Sequence, residues 1–332
     1  MDPVTHFSSG IMGALATRRW FPEARFFIIF CMLASWIPDC DIFFGNGDPE
    51  FSLLYHRGIT TSFFGGFFLA LGIAGLFKLV SKKSSYPKAA LLAYALVLTH
   101  IWLDLITTYG TQLLAPFSNH RFALDGSFII DPVFTGVALT IIVLAFFARQ
   151  WRQTIAMIGM AWFFLYPLTN MGISSYLENT YAHQLDAQGI AYSNVHVTPD
   201  ALSPRYWKVI TTSGPDYLQG TIDLFSEETR IPMQRYRRAD IGELERLGTM
   251  ESMFSTYAWF SKWPHVTEFI TPNGKNLVFG DLRFQSTNPI LARVFKDRKP
   301  PFTLTATLDN DGNLIEWHFV KGTSSIGETT ER

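Results

Sequence analysis

The 332-residue chain is poor in cysteine: Cys31 and Cys40 are its only two, and neither belongs to a CxxC or other metal-ligand spacing. That excludes a thiolate metal site and leaves Cys31 reading as core filler and Cys40, between Asp39 and Asp41, as a small structural residue. Excess charge of either sign is also missing. The net charge of -1 argues against a nucleic-acid partner held by bulk electrostatics. No P-loop, GxSxG or dinucleotide fingerprint occurs. A cleavable leader is not evident either, because arginines fall between the first two apolar pieces and the second ends in Pro-Asp rather than small residues.

Charge is scarce in one half only. Residues 1–172 hold 11 Lys+Arg and 9 Asp+Glu, whereas residues 173–332 hold 16 and 19. The second density is ordinary for a soluble domain and the first is not. The sequence therefore predicts three parts: an apolar domain over 1–172, a linker with a short helix over 173–203, and a soluble β-rich domain over 204–332.

The apolar part contains long hydrophobic runs at about 62–80, 88–108, 130–148 and 153–172, preceded by shorter pieces at about 5–17 and 22–38. A membrane-spanning helix needs about 20 residues. The expectation is an all-α polytopic membrane domain of about six helices, the first two short enough to form a re-entrant hairpin. Nine of the eleven basic residues before 173 cluster at three alternate turns: Arg18, Arg19 and Arg25; Lys78, Lys82, Lys83 and Lys88; Arg149 and Arg152. Short basic loops face the cytoplasm. That places both termini and the intervening turns outside, in a multi-pass cytoplasmic-membrane protein whose C-terminal domain is extracytoplasmic.

Polar residues then gather on one side. The outer face receives His6, Asp39 and Asp41 of the Pro-Asp-Cys-Asp turn, His56, Arg57, and the end of the fourth segment with His100 and Asp104. An Asp at mid-helix costs about 2.5–3.5 kcal/mol on insertion scales, so Asp104 needs compensation. His100 and Asp104 stand at i and i+4, on one helical face. Histidine and aspartate without cysteine suit a divalent metal, zinc foremost, with manganese and iron behind it. Each feature alone has a plainer reading. A single interfacial His is commonly structural, DxD after Pro is a helix stop, HxxxD is a transporter's proton relay, and Arg57 is a snorkelling anchor.

Several stretches carry a family resemblance: MDPVTH at the start, PDCD at 38–41, HRGITTS at 56–62, THIWLDLITTYGTQLLAPFSNHRFAL at 99–124 and IIDP at 129–132. They resemble the YdjM-type family of inner-membrane proteins, also labelled LexA-binding, regarded as metal-dependent hydrolases. The spacing of Asp41, His56, His100 and Asp104 is also similar, more loosely, to one metal site of the zinc-dependent phospholipase C and P1-type nuclease group. The resemblance implies a hydrolase with Asp41, His56, His100 and Asp104 as metal ligands and His6 beside them. Asp39 and Arg57 become catalytic candidates, Arg57 because a guanidinium matches phosphate oxygens. Thr61, Tyr109 and Asp131 would support the site from behind. The family motif reads HRGxTHS, and this chain has Thr61 where the second His belongs, which weakens any ion that depends on that ligand.

The expected partners are membrane lipids and a lipid-like or phosphorylated substrate at the outer leaflet, with no nucleic acid. Two other function classes stand beside the hydrolase: a proton- or cation-coupled transporter using His100 and Asp104, and a non-catalytic membrane scaffold. In the tail, strands are predicted at 206–213, 216–225, 265–270, 276–284, 302–308 and 314–320, with a helix over 240–262. The whole tail reads as a small antiparallel α+β domain.

Overall fold

The computed structural model describes residues 1–226, 231–294, 298–322 and 324–325. The chain separates into two compact units, one of residues 1–47 and 55–173, the other of 48–54 and 174–332.

The first unit is helical, and its helices begin where the sequence supplies caps. α1 (Pro3–Thr17) starts on Asp2, whose carboxylate accepts the Thr5 amide at 3.0 Å, with Pro3 in the first turn. α2 (Phe27–Trp36) runs only ten residues before Ile37 and Pro38 tighten the chain into a 3-10 turn, Ile37–Phe43. A short helix, α3 (Pro49–Tyr55), falls within the excursion that belongs mostly to the second unit. α4 (Phe63–Val80) is capped by Ser62, and α5 (Tyr86–Leu105) has Pro87 in its first turn. α6 (Pro132–Phe147) is capped by Asp131, which accepts both the Val133 and Phe134 amides.

Among the described residues, three segments are long and apolar enough to cross a bilayer: Phe63–Val80, Tyr86–Leu105 and Arg149–Ala187. α6, at 16 residues, and α1, at 15, rise about 24 and 22 Å at 1.5 Å per residue, short of a ~30 Å hydrocarbon core. Three helices of spanning length among the described residues thus stand beside an expectation of about six membrane helices, the first two short.

The linker also differs. α7 (Arg152–Ala187) is one continuous helix of 36 residues, where the sequence suggests an apolar helix ending near 172 and a separate short helix in the linker. Polar residues such as Asn170 and Ser174 change what a helix faces but do not stop it. The stop is Gly189, at φ +66, where the amides of Gly189 and Ile190 close back on the carbonyls of Asp186 and Leu185.

Within the first unit, small residues let helices approach. A Cβ on Gly10 of α1 would lie 2.7 Å from the Cys31 carbonyl oxygen of α2, so only glycine fits there. Phe30 of α2 stacks on Phe77 of α4 with centroids 4.1 Å apart. The Trp102 indole donates to the Phe163 carbonyl at 2.9 Å, and Trp162 to the Phe134 carbonyl at 3.1 Å, tying α7 to α5 and α6.

The second unit is antiparallel α+β. β1 (Asn194–Pro199), β2 (Tyr206–Ser213), β3 (Asp216–Asp223) and β4 (Gln234–Arg237) pair in chain order. α8 (Ile241–Gly248) and α9 (Ser252–Phe260) follow, where a single helix was expected; the chain turns between them at Thr249–Glu251. β5 (Pro264–Thr271) and β6 (Gly274–Asp281) form a hairpin across Pro272-Asn273. α10 (Pro289–Val294) and the two-residue β7 (Arg298–Lys299) precede β8 (Thr303–Leu308) and β9 (Leu314–Val320), which extend that sheet in the order 5-6-8-9. β1 and β4 were not foreseen: β1 holds a Pro and a His, and β4 is four polar or aromatic residues without alternation. Glu50 of α3 accepts from Ser252 at 2.7 Å and Thr256 at 2.8 Å in α9, which accounts for the excursion grouping with this unit.

Candidate metal centre

Three elements bring the polar residues together. α1 supplies His6, the 3-10 turn after α2 supplies Asp39, and the last turn of α5 supplies His100 and Asp104. His6, His100 and Asp104 are fully buried and Asp39 nearly so. One ligand atom from each of His6, Asp39 and His100 lies within 4.8 Å of the others, a group able to hold a metal ion. His6 Nε2 is 3.7 Å from Asp39 Oδ2 and 3.3 Å from Asp104 Oδ1; His100 Nε2 is 3.5 Å from Asp39 Oδ1 and 3.2 Å from Asp104 Oδ2. The two imidazoles stack, centroids 4.0 Å apart.

These atoms are close without being aligned for hydrogen bonds. His6 Nδ1 and Nε2, His100 Nε2, Asp39 Oδ1 and Asp104 Oδ2 are buried with no hydrogen-bond partner among the described residues. Orphaned buried polar atoms are rare and costly, about 1–3 kcal/mol each. The tautomer of His100 sharpens the point. Its Nδ1 is 2.8 Å from the Ser35 carbonyl oxygen, which can only accept, so Nδ1 carries the hydrogen. In the neutral ring, Nε2 then turns a lone pair toward two carboxylates, and a cation among them converts that clash into coordination. A backbone carbonyl orienting a ligating histidine is the usual outer-shell arrangement in metal proteins. The donor set of two imidazoles and carboxylates, without thiolate, fits a borderline divalent ion.

Asp104 has further partners. Arg57 Nη2 stands 3.0 Å from its Oδ1, and the Met1 amino nitrogen 2.6 Å from the same oxygen. Arg57 Nη1 donates to Thr107 Oγ1 at 2.7 Å and to the Asp104 carbonyl at 3.2 Å. The Arg57 backbone takes φ +58, unusual for a residue with a side chain. Its amide donates to Asp41 Oδ2 at 2.9 Å and its carbonyl accepts from Gln112, which pins that conformation.

Asp41 and His56, expected as metal ligands, face each other. His56 Nδ1 donates to Asp41 Oδ1 at 2.8 Å, while Asp41 Oδ2 also takes the Thr60 hydroxyl at 3.2 Å. Thr61 is fully buried and donates to the Gly58 carbonyl at 3.1 Å, closing its own 3-10 turn. The ring of Tyr109 lies under both Arg57 and Arg121, 4.9 and 5.2 Å from their guanidinium carbons, and meets His56 edge-on. Asp131 accepts the Tyr166 hydroxyl at 2.7 Å besides capping α6.

Four participants escaped the sequence reading: Ser35, Thr60, Thr107 and Arg121. Arg121 donates to the carbonyls of His56 and Gly110 and so braces the chain that carries His56. Ser35 acts through its carbonyl, which no side-chain pattern betrays. Arg121 and Thr107 lay inside the quoted 99–124 motif, and their proximity to Tyr109 and Asp104 in sequence was the available signal.

No curated protein and no solved structure matches the chain. Comparison with known families matches residues 1–178, more than half of the sequence, to the one described as YdjM inner membrane protein. With its apolar helices this makes the chain a membrane protein. It belongs to the YdjM inner membrane protein family.

Proposed function

We propose that this chain is a membrane-embedded, metal-dependent hydrolase acting on a phosphoester, with zinc as the ion and a lipid-linked phosphoester as the substrate class. The observation that carries the reading is the buried group of His6, Asp39 and His100, with Asp104 beside it, in which His6 Nε2, His100 Nε2, Asp39 Oδ1 and Asp104 Oδ2 have no hydrogen-bond partner among the described residues. A scaffold has no reason to bury two imidazoles and two carboxylates against one another, since unsatisfied charge in an apolar setting is costly.

His6, Asp39, His100 and Asp104 would hold the ion. A bound divalent ion supplies Lewis acidity toward a phosphoryl oxygen and acidifies a water to make a nucleophile near neutral pH. The chain's own contribution lies around it. The Ser35 carbonyl holds His100 in the tautomer whose Nε2 is a donor atom. Arg57 positions Asp104 from the other side. Asp41 fixes His56 with hydrogen on Nδ1, leaving Nε2 to accept or return a proton at the reacting oxygen, as in other oriented acid–base histidines. Arg121 and Tyr109 keep His56 in place.

On the same reading the ion and substrate meet at the outer leaflet of the inner membrane. The three basic turns, the one between α1 and α2 included, face the cytoplasm, and the C-terminal unit is extracytoplasmic. The clustering of nine Lys and Arg at three turns supports that orientation. Reagent labelling of a cysteine placed in the Gly312 turn, in intact cells, tests it; protection from an impermeant reagent would invert the topology.

The activity itself is tested with the full-length chain and bis(p-nitrophenyl) phosphate. Hydrolysis should vanish with chelator, return with zinc or manganese, and be absent in Asp39→Asn. A metal-loaded wild type that cleaves no phosphoester, model diester or phospholipid, would sink the proposal.

A further inference from the structure

Away from the buried cluster, the helical unit has a cavity of about 420 Å³ lined by α1, the turn after it, the start of α2 and the start of α7. Its walls are apolar: Ala14, Leu15, Phe27, Ile28 and Ile29 contribute. Two arginines complete the lining, Arg18 at the end of α1 and Arg152 at the first position of α7. Phe26, Ile28 and Ile29 remain exposed at 55, 37 and 52%, in a part of the chain with few charges.

The arginines are held but not neutralised. Arg18 donates from Nη1 to the Ala24 carbonyl at 3.1 Å and from Nη2 to the Pro22 carbonyl at 3.3 Å. Arg152 donates from Nε to the Ala145 carbonyl at 3.2 Å. Neither guanidinium pairs with a carboxylate among the described residues, and nearby Glu23 is 3.3 Å from Lys83 instead. Carbonyl contacts orient a guanidinium and leave its full positive charge. Both side chains also lie by aromatic rings, Arg18 over Phe27 at 5.5 Å and Arg152 over Phe146 at 6.0 Å, which limits their swing.

Two fixed cations at the rim of an apolar cavity between membrane helices complement a molecule with an anionic head and a hydrocarbon tail. We propose that this cavity binds one anionic glycerophospholipid, its phosphodiester between Arg18 and Arg152 and an acyl chain along Phe27, Ile28 and Ile29. Basic pockets between helices on the positively charged face of membrane proteins take lipid headgroups in this way, and guanidinium matches phosphate oxygens two at a time. Charge complementarity selects the anionic lipid over a zwitterionic one. The site is independent of the buried metal centre, because none of its lining residues belongs to that cluster.

The full chain, released from nanodiscs containing equal phosphatidylglycerol and phosphatidylcholine, should retain phosphatidylglycerol preferentially by native mass spectrometry. Arg18→Gln with Arg152→Gln should lower that retention about thirty-fold, from the electrostatic contribution typical of two basic residues near a lipid surface. Arg18→Lys with Arg152→Lys should retain most of it, separating lost charge from lost folding. Excess inorganic phosphate or glycerol phosphate should not displace the lipid. Equal retention of the two lipids, equal retention by the glutamine variant, or displacement by free phosphate would each overturn the proposal.

Discussion

The rings of His6 and His100, from the first and fifth helices, stack with centroids 4.0 Å apart and planes inclined 25°. Both Nε2 atoms come within 3.3 Å of an oxygen of one carboxylate, Asp104. Imidazoles buried this way share either protons or an ion, and the Ser35 contact leaves His100 Nε2 directed at the carboxylates.

Arg57→Met should be strongly destabilising. The guanidinium is buried, and its loss strips Asp104 of a partner at 3.0 Å. Removing one member of a buried pair costs about 3–5 kcal/mol. Thermal unfolding of chelator-treated protein checks it, in a cycle with Asp104→Asn. The double variant should be less damaged than the two single costs added, by more than about 1 kcal/mol. Strict additivity would mean that the two residues do not interact.

Thr61→Val should lower stability by about 1 kcal/mol, the net worth of one buried hydrogen bond, here to the Gly58 carbonyl. Metal content should stay at the wild-type level, because the hydroxyl closes a turn. A drop in bound metal equal to that of a ligand variant would instead make Thr61 part of the coordination sphere.

Much of this was readable in the sequence, for identifiable reasons. The apolar runs at 62–80, 88–108 and 130–148 match α4, α5 and α6 to within three residues at each end. Strands β2, β5, β6, β8 and β9 carry alternation and turn glycines, so their bounds fell within a few residues. The partnership of His100 and Asp104 followed from their i, i+4 spacing and the expense of an Asp in an apolar helix. What stayed hidden depends on contacts made at a distance. The stacking of His6 on His100, the Ser35 carbonyl, and the mutual pairing of Asp41 with His56 are properties of packing. The same holds for Glu50, which takes two hydroxyls from α9.

In the second unit, stability should rise with pH between about 4 and 6.5 through His265. Burial pushes its pKa down to about 4, against the opposing pull of Asp281 and the Gln285 contact. The Gln285 amide lies 2.7 Å from Nε2, an acceptor only while the ring is neutral. An unfolded His takes its proton near pH 6.5. Between the two values the unfolded chain therefore binds more protons, and stability is lost as the pH falls, by about 3 kcal/mol in all. Below pH 4 this contribution levels off. Denaturation of wild type and His265→Asn across that range checks it: the difference between them should narrow toward low pH, and a constant difference would contradict the assignment.

The central claim is that His6, Asp39, His100 and Asp104 hold a divalent ion. Its most direct test is the metal-to-protein ratio of the full-length chain, purified without chelator and measured by plasma mass spectrometry, against His100→Gln and Asp39→Asn prepared alike. The wild type should carry at least about one equivalent of a borderline divalent metal, zinc foremost, and each variant less than about a tenth of that while still inserting in the membrane. A wild type that remains metal-free after incubation with zinc, or variants that bind as much as the wild type, would contradict the account.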